Sequence, residues 1–193
     1  MNQPANTAPK QRWPRKAAIE VARELCRELE PYCERLVVAG SLRRMREDVG
    51  DVEILFIPRM ERHQVDLLKW AMISLADVRI GRLLANGTIT QRRSKIGTVA
   101  WGDKNKLAVH RSGIPVDLFA TTQAAWFNYL VCRTGPAAQN VRIAAAAKAM
   151  GFAWHPYRAG FTHLVTGAPV PMESEEAVFE FVGLPYLEPK DRL

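Results

Sequence analysis

Residues 39–59 read AGSLRRMREDVGDVEILFIPR. A Gly-Ser pair at Gly40-Ser41 is followed by the cations Arg43, Arg44 and Arg46. Next come Asp51-Val52-Glu53 and the apolar run Ile54-Leu55-Phe56-Ile57, closed by Pro58. The apolar run predicts a buried strand. Residues two apart on a strand project from one face, so Asp51 and Glu53 point together while Val52 and Ile54 point the other way. Two neighbouring carboxylates raise each other's pKa unless a cation lies between them. A hard divalent ion meets that need, and Mg²⁺ commonly takes one or two carboxylates together with substrate phosphates. A glycine lets backbone approach a phosphate, and a serine adds N–H and hydroxyl donors. One short segment can therefore hold a triphosphate at one end and its metal at the other. The competing reading is a solvated edge strand after a basic turn.

A third acid belongs to the same pattern. GIPVDLF places Asp117 on a predicted strand between Val116 and Leu118. An acid inside an apolar strand needs a partner. If that strand neighbours the first, Asp51, Glu53 and Asp117 form a cluster able to hold two metal ions. One ion activates an attacking hydroxyl; the other neutralises a triphosphate and the departing pyrophosphate.

Working outward, the chain has 193 residues, enough for one large or two small domains with a real core. Hydrophobic residues make up 48% and charged residues 24%, a globular composition. Lys and Arg outnumber Asp and Glu by 27 to 20, and the net charge of +7 favours anionic partners, nucleic acid first. Cys26, Cys33 and Cys132 have no metal-type spacing and read as reduced thiols, which gives a cytoplasmic expectation, or host cytoplasm for a viral chain. His63, His110, His155 and His163 are scattered and form no zinc pattern. No apolar run is long enough to cross a bilayer, and the N-terminal MNQPANTAPKQRWPRK has no secretory core. Residues 1–15 are expected to be a flexible basic arm.

The periodicity predicts a helix from Lys16 to Arg35, disturbed at Pro31, then the strand RLVVAG. Ser41 to Gly50 reads as irregular. RHQVDLLKWAMISL reads as a helix. TITQRRSKIGTVAWGD, KLAVHRSG and IPVDLFATT read as strands joined by hairpins. AAWFNYLVCR and the Ala-rich AAQNVRIAAAAKAMG read as helices around a break at TGP, where Gly135-Pro136 is a candidate cis bond. Ser174 marks a further helix start. The fold class is α+β, with a mixed sheet and helices over residues 16–133 and a smaller unit over 134–193.

GSLRRMREDVGDVEIL resembles the nucleotidyltransferase signature of family X DNA polymerases, the DNA polymerase β group. VDLF resembles that family's third-aspartate strand, RTGPAAQN its T-G turn, and GAPVPMESEEAVFEFVGLPYLEPKDRL its C-terminal end. The resemblance runs in order from about Leu36 to Leu193. It implies a palm over 16–133, a nucleotide-contacting subdomain over 134–193, and metal-dependent addition of nucleotides to a DNA 3′-hydroxyl, in gap filling or repair. The implied cofactor is a pair of Mg²⁺ ions, replaceable by Mn²⁺. Asp51, Glu53 and Asp117 are the implied metal ligands and catalytic acids. Gly40, Ser41 and Arg44 are implied to hold the triphosphate, and Arg133, Thr134, Gly135 and Asn140 to line the sugar and base. Implied partners are primed or gapped DNA and a nucleoside triphosphate, with no membrane, for a monomeric protein.

Three positions depart from the family pattern. Glu53 stands where Asp is usual. Cys132-Arg133 replaces an aromatic pair that helps reject ribonucleotides. Pro115 stands where an Arg often modulates the third aspartate. The segment before Gly40 is too short for the family's lyase and DNA-gripping domains, so a minimal member is expected. Its DNA affinity would come from the N-terminal arm, Arg92, Arg93, Lys95, Lys104, Lys106 and, more weakly, Arg142. Of the five tryptophans, Trp154, beside His155 and Tyr157, is the best candidate to stack a base. Two alternatives stay open: a nucleotidyltransferase acting on RNA, protein or a small molecule, and a catalytically weak DNA-binding module.

Overall fold

A computed structural model of the chain describes residues 11–66, 68–94 and 97–192. Strand β1 (Trp13–Pro14) leads into helix α1 (Arg15–Leu29). Ala18, Val21, Ala22, Leu25 and Leu29 form its buried stripe, the spacing of a helix with one apolar face. Pro31 converts the helix end into a single tight turn, Glu30–Tyr32, as proline does by withholding an N–H. Strand β2 (Cys33–Val38), the short helix α2 (Gly40–Arg43), strand β3 (Asp48–Val49) and strand β4 (Val52–Pro58) follow.

Strands β5 (Met60–Asp66) and β6 (Lys69–Ser74) then form a two-stranded hairpin outside the main sheet. Helix α3 (Leu75–Ala85) and strands β7 (Ile89–Gln91), β8 (Asn105–His110) and β9 (Pro115–Ala120) complete the N-terminal part. Five strands make one sheet in the order β2-β4-β9-β8-β7. The β4–β9 pair is parallel; its neighbours are antiparallel.

The two faces of this sheet have different jobs. Val52, Ile54 and Phe56 of β4, with Val116 and Leu118 of β9, pack on the stripe of α1 and on Ile80 and Leu83 of α3. The alternate residues Leu55, Ile57 and Phe119 face the other way, onto Trp126, Tyr129 and Leu130. These belong to helix α4 (Trp126–Thr134), which carries the chain into the C-terminal part. There helix α5 (Ala137–Ala149), strands β10 (Phe152–Trp154), β11 (Gly160–His163) and β12 (Pro169–Pro171), and helix α6 (Glu175–Phe181) enclose a second core. Ile143, Ala147, Phe161, Val178 and Phe179 are its centre, and Val131 of α4 reaches into it. The architecture is α+β. No helix among the described residues is long and apolar enough to cross a membrane.

Several expectations are corrected. RHQVDLLKWAMISL is not a helix. Its described residues fall in the β5–β6 hairpin, registered Arg62↔Met72 and Gln64↔Trp70, and only Leu75 enters α3. A short apolar run fits both periods, and cross-strand pairing with residues 60–64 selects the strand. Helix α3 starts later, where the Ser74 hydroxyl accepts from the Asp77 N–H (3.1 Å). Gly40–Arg43 is helical rather than irregular. Within the expected flexible arm, residues 1–10 lie outside the described residues. The rest is held: Trp13 pairs with Val49, and Arg12 binds the Asp48 carboxylate (2.6 Å). The Gly135-Pro136 bond is cis, as expected.

Candidate active site

Glu53 and Asp117 stand opposite each other in the parallel β4–β9 register. In-register neighbours on adjacent strands lie about 4.8 Å apart and share a face. Theirs is the face that Leu55 and Phe119 continue beneath α4. Asp51 precedes β4, two residues before Glu53, and its charge bears on both acids. Burial pushes the Glu53 carboxyl up to about 7; Asp51 and Asp117 add to the push, while Arg133 and Arg44 oppose it. Burial also raises Asp117, against the pull of Arg92.

Arg92 donates a hydrogen bond from Nη2 to the Asp117 carboxylate. The cation that Pro115 cannot supply thus arrives from the segment after β7. Nothing in the local sequence around Asp117 signals it, because the partners are 25 positions apart. Arg92, expected to contact DNA, is paired with this acid.

The turn before α2 is built around the second acid. Gly40 has φ +63°, and a Cβ there would lie 2.0 Å from Glu53 Oε2. Only glycine meets both conditions. Glu53 also fixes the turn through its backbone, accepting from the Ala39 N–H (2.8 Å). Ser41 is half-buried at the start of α2.

The adjoining arginines tie this turn to the C-terminal part. Arg43 Nη1 donates to the Thr134 hydroxyl (2.6 Å), and both Arg43 terminal nitrogens reach the Glu175 carboxylate (2.9 and 2.5 Å). Arg192 adds a contact to Glu175 (3.3 Å), and Arg46 donates to the Arg192 carbonyl (3.1 Å). Arg44 donates to the Thr134 carbonyl. Burial lowers the Arg44 pKa, with Arg46 adding to the effect. Glu175 and Arg192 did not stand out in the sequence, although Arg192 closes the EPKDR run.

The residues expected at the sugar and base are close to these. Thr134 is fully buried, with its hydroxyl and carbonyl held by Arg43 and Arg44. A Cβ on Gly135 would lie 3.3 Å from Arg44 Nη1. Asn140 donates to the Cys132 carbonyl (2.8 Å), and its Oδ1 is buried without a partner. The Arg133 guanidinium lies over the Phe119 ring, 3.7 Å from its centre. Phe119 follows Asp117 by two residues on the same sheet face, so Arg133 stands next to the acids.

The remaining candidates are peripheral. Arg93 and Arg142 are exposed, and Lys95 lies outside the described residues. Lys106 is buried in an ion pair with Asp77 (2.8 Å), which removes it as a DNA contact. Trp154 is a packing residue: its indole N–H donates to Asn128 (3.0 Å) and its ring stacks on Phe161.

Among the described residues no three His, Cys, Asp or Glu side chains form a ready ligand set for one ion. Glu53 leans on the Gly40 backbone and Asp117 on Arg92. The donor chemistry nevertheless suits a hard divalent cation, since oxygen ligands of like charge are crowded on one face with raised pKa values.

The C-terminal third has a recognisable relative. Residues 129–193 match the DNA polymerase beta thumb. The match supports a relationship to DNA polymerase β through that segment, which begins inside α4 and includes α5, the three-stranded sheet and α6. The five-stranded sheet and its acids lie outside the matched residues. No curated protein matches the chain.

Proposed function

We propose that this protein transfers a nucleotide from a nucleoside triphosphate to a DNA 3′-hydroxyl, with residues 16–133 as a nucleotidyltransferase palm and 134–193 as its thumb. The observation that carries the reading is the pairing of Glu53 with Asp117 on one sheet face, beside the Gly40-Ser41 turn, in a chain whose other end matches a polymerase thumb.

The roles follow from position. The Gly40-Ser41 backbone and Arg44 hold the β and γ phosphates; Arg43, fixed by Glu175, keeps that turn in place. Asp117 orients the primer hydroxyl. Asp51, Glu53 and Asp117 would hold two Mg²⁺ ions, which lower the hydroxyl pKa and neutralise the triphosphate. Holding them would require Glu53 to turn from Gly40 and Asp117 to release Arg92. DNA is held by exposed cations, and the +7 net charge makes that binding sensitive to salt. The DNA is a primed or gapped duplex, the protein acts as a monomer, and the compartment is the cytoplasm.

The test is primer extension with Mg²⁺ or Mn²⁺, each nucleotide supplied as deoxy and ribo forms, with and without a template strand. Wild type extends the primer and Asp117→Ala does not. Equal extension by that variant would sink the assignment. A second reading, DNA binding without catalysis, is favoured by the Arg92–Asp117 pair, which occupies the acid expected to orient the hydroxyl. Tight salt-sensitive DNA binding with no incorporation under any metal would select it.

A further inference from the structure

A cleft of about 510 Å³ opens beside Arg133. Its walls include Lys104 before β8, Thr121 and Thr122 after β9, Tyr129 and Arg133 of α4, and Tyr157 between β10 and β11. None of Gly40, Ser41, Arg44, Asp51, Glu53 and Asp117 lines it, and no acid does. Only Arg133 belongs to both places.

The lining selects a ligand. Lys104 and Arg133 are the charged residues of the lining and no carboxylate joins them there, so the cleft favours an anion, although Arg133 also feels Glu53 and Asp117 in the neighbouring site. Arg133 Nε is buried without a hydrogen-bond partner, a cost the free protein carries and an acceptor would relieve. Tyr129 and Tyr157 meet edge to face with ring centres 4.9 Å apart, and Tyr157 is 54% exposed. Such a ring offers a surface to a planar aromatic group. Thr121 and Thr122 add hydroxyl-bearing side chains to the lining. The volume is in the range of small-ligand sites and suits one nucleotide, not a longer oligomer.

We infer that this cleft is a second nucleotide site, which takes one base with its phosphate while the triphosphate occupies the Gly40-Ser41 turn. The anion preference rests on the lining alone; the choice of a nucleotide rests on the nucleotidyl-transfer reading. The occupant is either a free mononucleotide or a nucleotide unit of a DNA strand, and the chemistry at the cleft is the same. Arg133, shared by both sites, makes occupancy of the cleft felt at the acids.

Calorimetric titration of the full chain in EDTA tests this, with dAMP and a single-stranded pentadeoxynucleotide as probes. The variants are Lys104→Ala/Thr121→Val, which alters the cleft, and Arg44→Ala, which alters the phosphate turn. Expected is binding by wild type, about tenfold weaker binding by the cleft variant, the loss of roughly one charge-assisted contact, and unchanged binding by Arg44→Ala. A loss seen for both probes identifies a mononucleotide site; a loss confined to the pentamer identifies a strand site. Undiminished binding of both probes by the cleft variant overturns the inference, as does no binding of either probe by wild type. If only Arg44→Ala weakens binding, the cleft is rejected while the proposed triphosphate site stands. Thermal melting of each variant confirms that it is folded.

Discussion

Arg43 grips Glu175 with both terminal nitrogens, at 2.9 and 2.5 Å. One residue is in the turn proposed to hold phosphate; the other opens α6, 132 positions later. Glu175 is 6% exposed and Arg192, its second partner, 1%. Removing one member of a buried ion pair leaves the other charge uncompensated, at a cost of about 3–5 kcal/mol. Glu175→Ala should show that loss in urea denaturation, together with a higher KM for the triphosphate. A double-mutant cycle with Arg43→Ala should return a coupling energy well above zero; simple additivity would mean that the pair does not link the two parts.

Gly40 should tolerate no side chain. Gly40→Ala combines a left-handed backbone with a methyl 2.0 Å from Glu53 Oε2. The backbone term alone is about 1–2 kcal/mol, and the clash adds displacement of a proposed metal ligand. Glu53→Asp shortens that side chain, so the double variant should melt higher than Gly40→Ala alone. Equal melting of the single and double variants would show that the contact with Glu53 is not the cause.

Arg92 should set the acid limb of the pH–activity profile. It pulls the Asp117 pKa down against the rise caused by burial. With Arg92→Gln that pull is gone, Asp117 protonates at higher pH, and the acid limb moves upward. Activity falls most at low pH and recovers towards wild type in alkaline buffer. A loss independent of pH would assign Arg92 to DNA contact instead.

Glu53 should make the metal-free protein less stable as pH rises. The folded state takes up its proton near pH 7, the unfolded chain near the ordinary 4.5. Between those values the folded protein holds the extra proton, so stability falls with rising pH through the window and levels off above about 7. The full shift corresponds to at most about 3 kcal/mol. Glu53→Gln should flatten this slope in EDTA, and Mg²⁺ should stabilise wild type more at pH 8 than at pH 5. Identical slopes for the two proteins would remove Glu53 as the titrating group.

The elements legible in the sequence were those with local causes. The α1 stripe, the run from Val52 to Ile57, the Ser174 cap and the T-G-P break each arise within a few neighbouring residues. The β5–β6 hairpin was missed because a short apolar run fits both periods, and pairing across residues 60–74 chose between them. Helix α3 was missed with it, although Ser74 and Asp77 carry a readable capping signal.

The sequence by itself determined that Asp51 and Glu53 share a face, that Gly40 precedes them in a turn, and that Asp117 is an acid in an apolar strand. Strand periodicity and glycine's missing side chain suffice for those. Tertiary structure alone decided that Glu53 registers with Asp117, that Arg92 serves Asp117, and that Arg43 reaches Glu175. Each of those contacts joins segments far apart in the chain, which the packing of the two cores brings together.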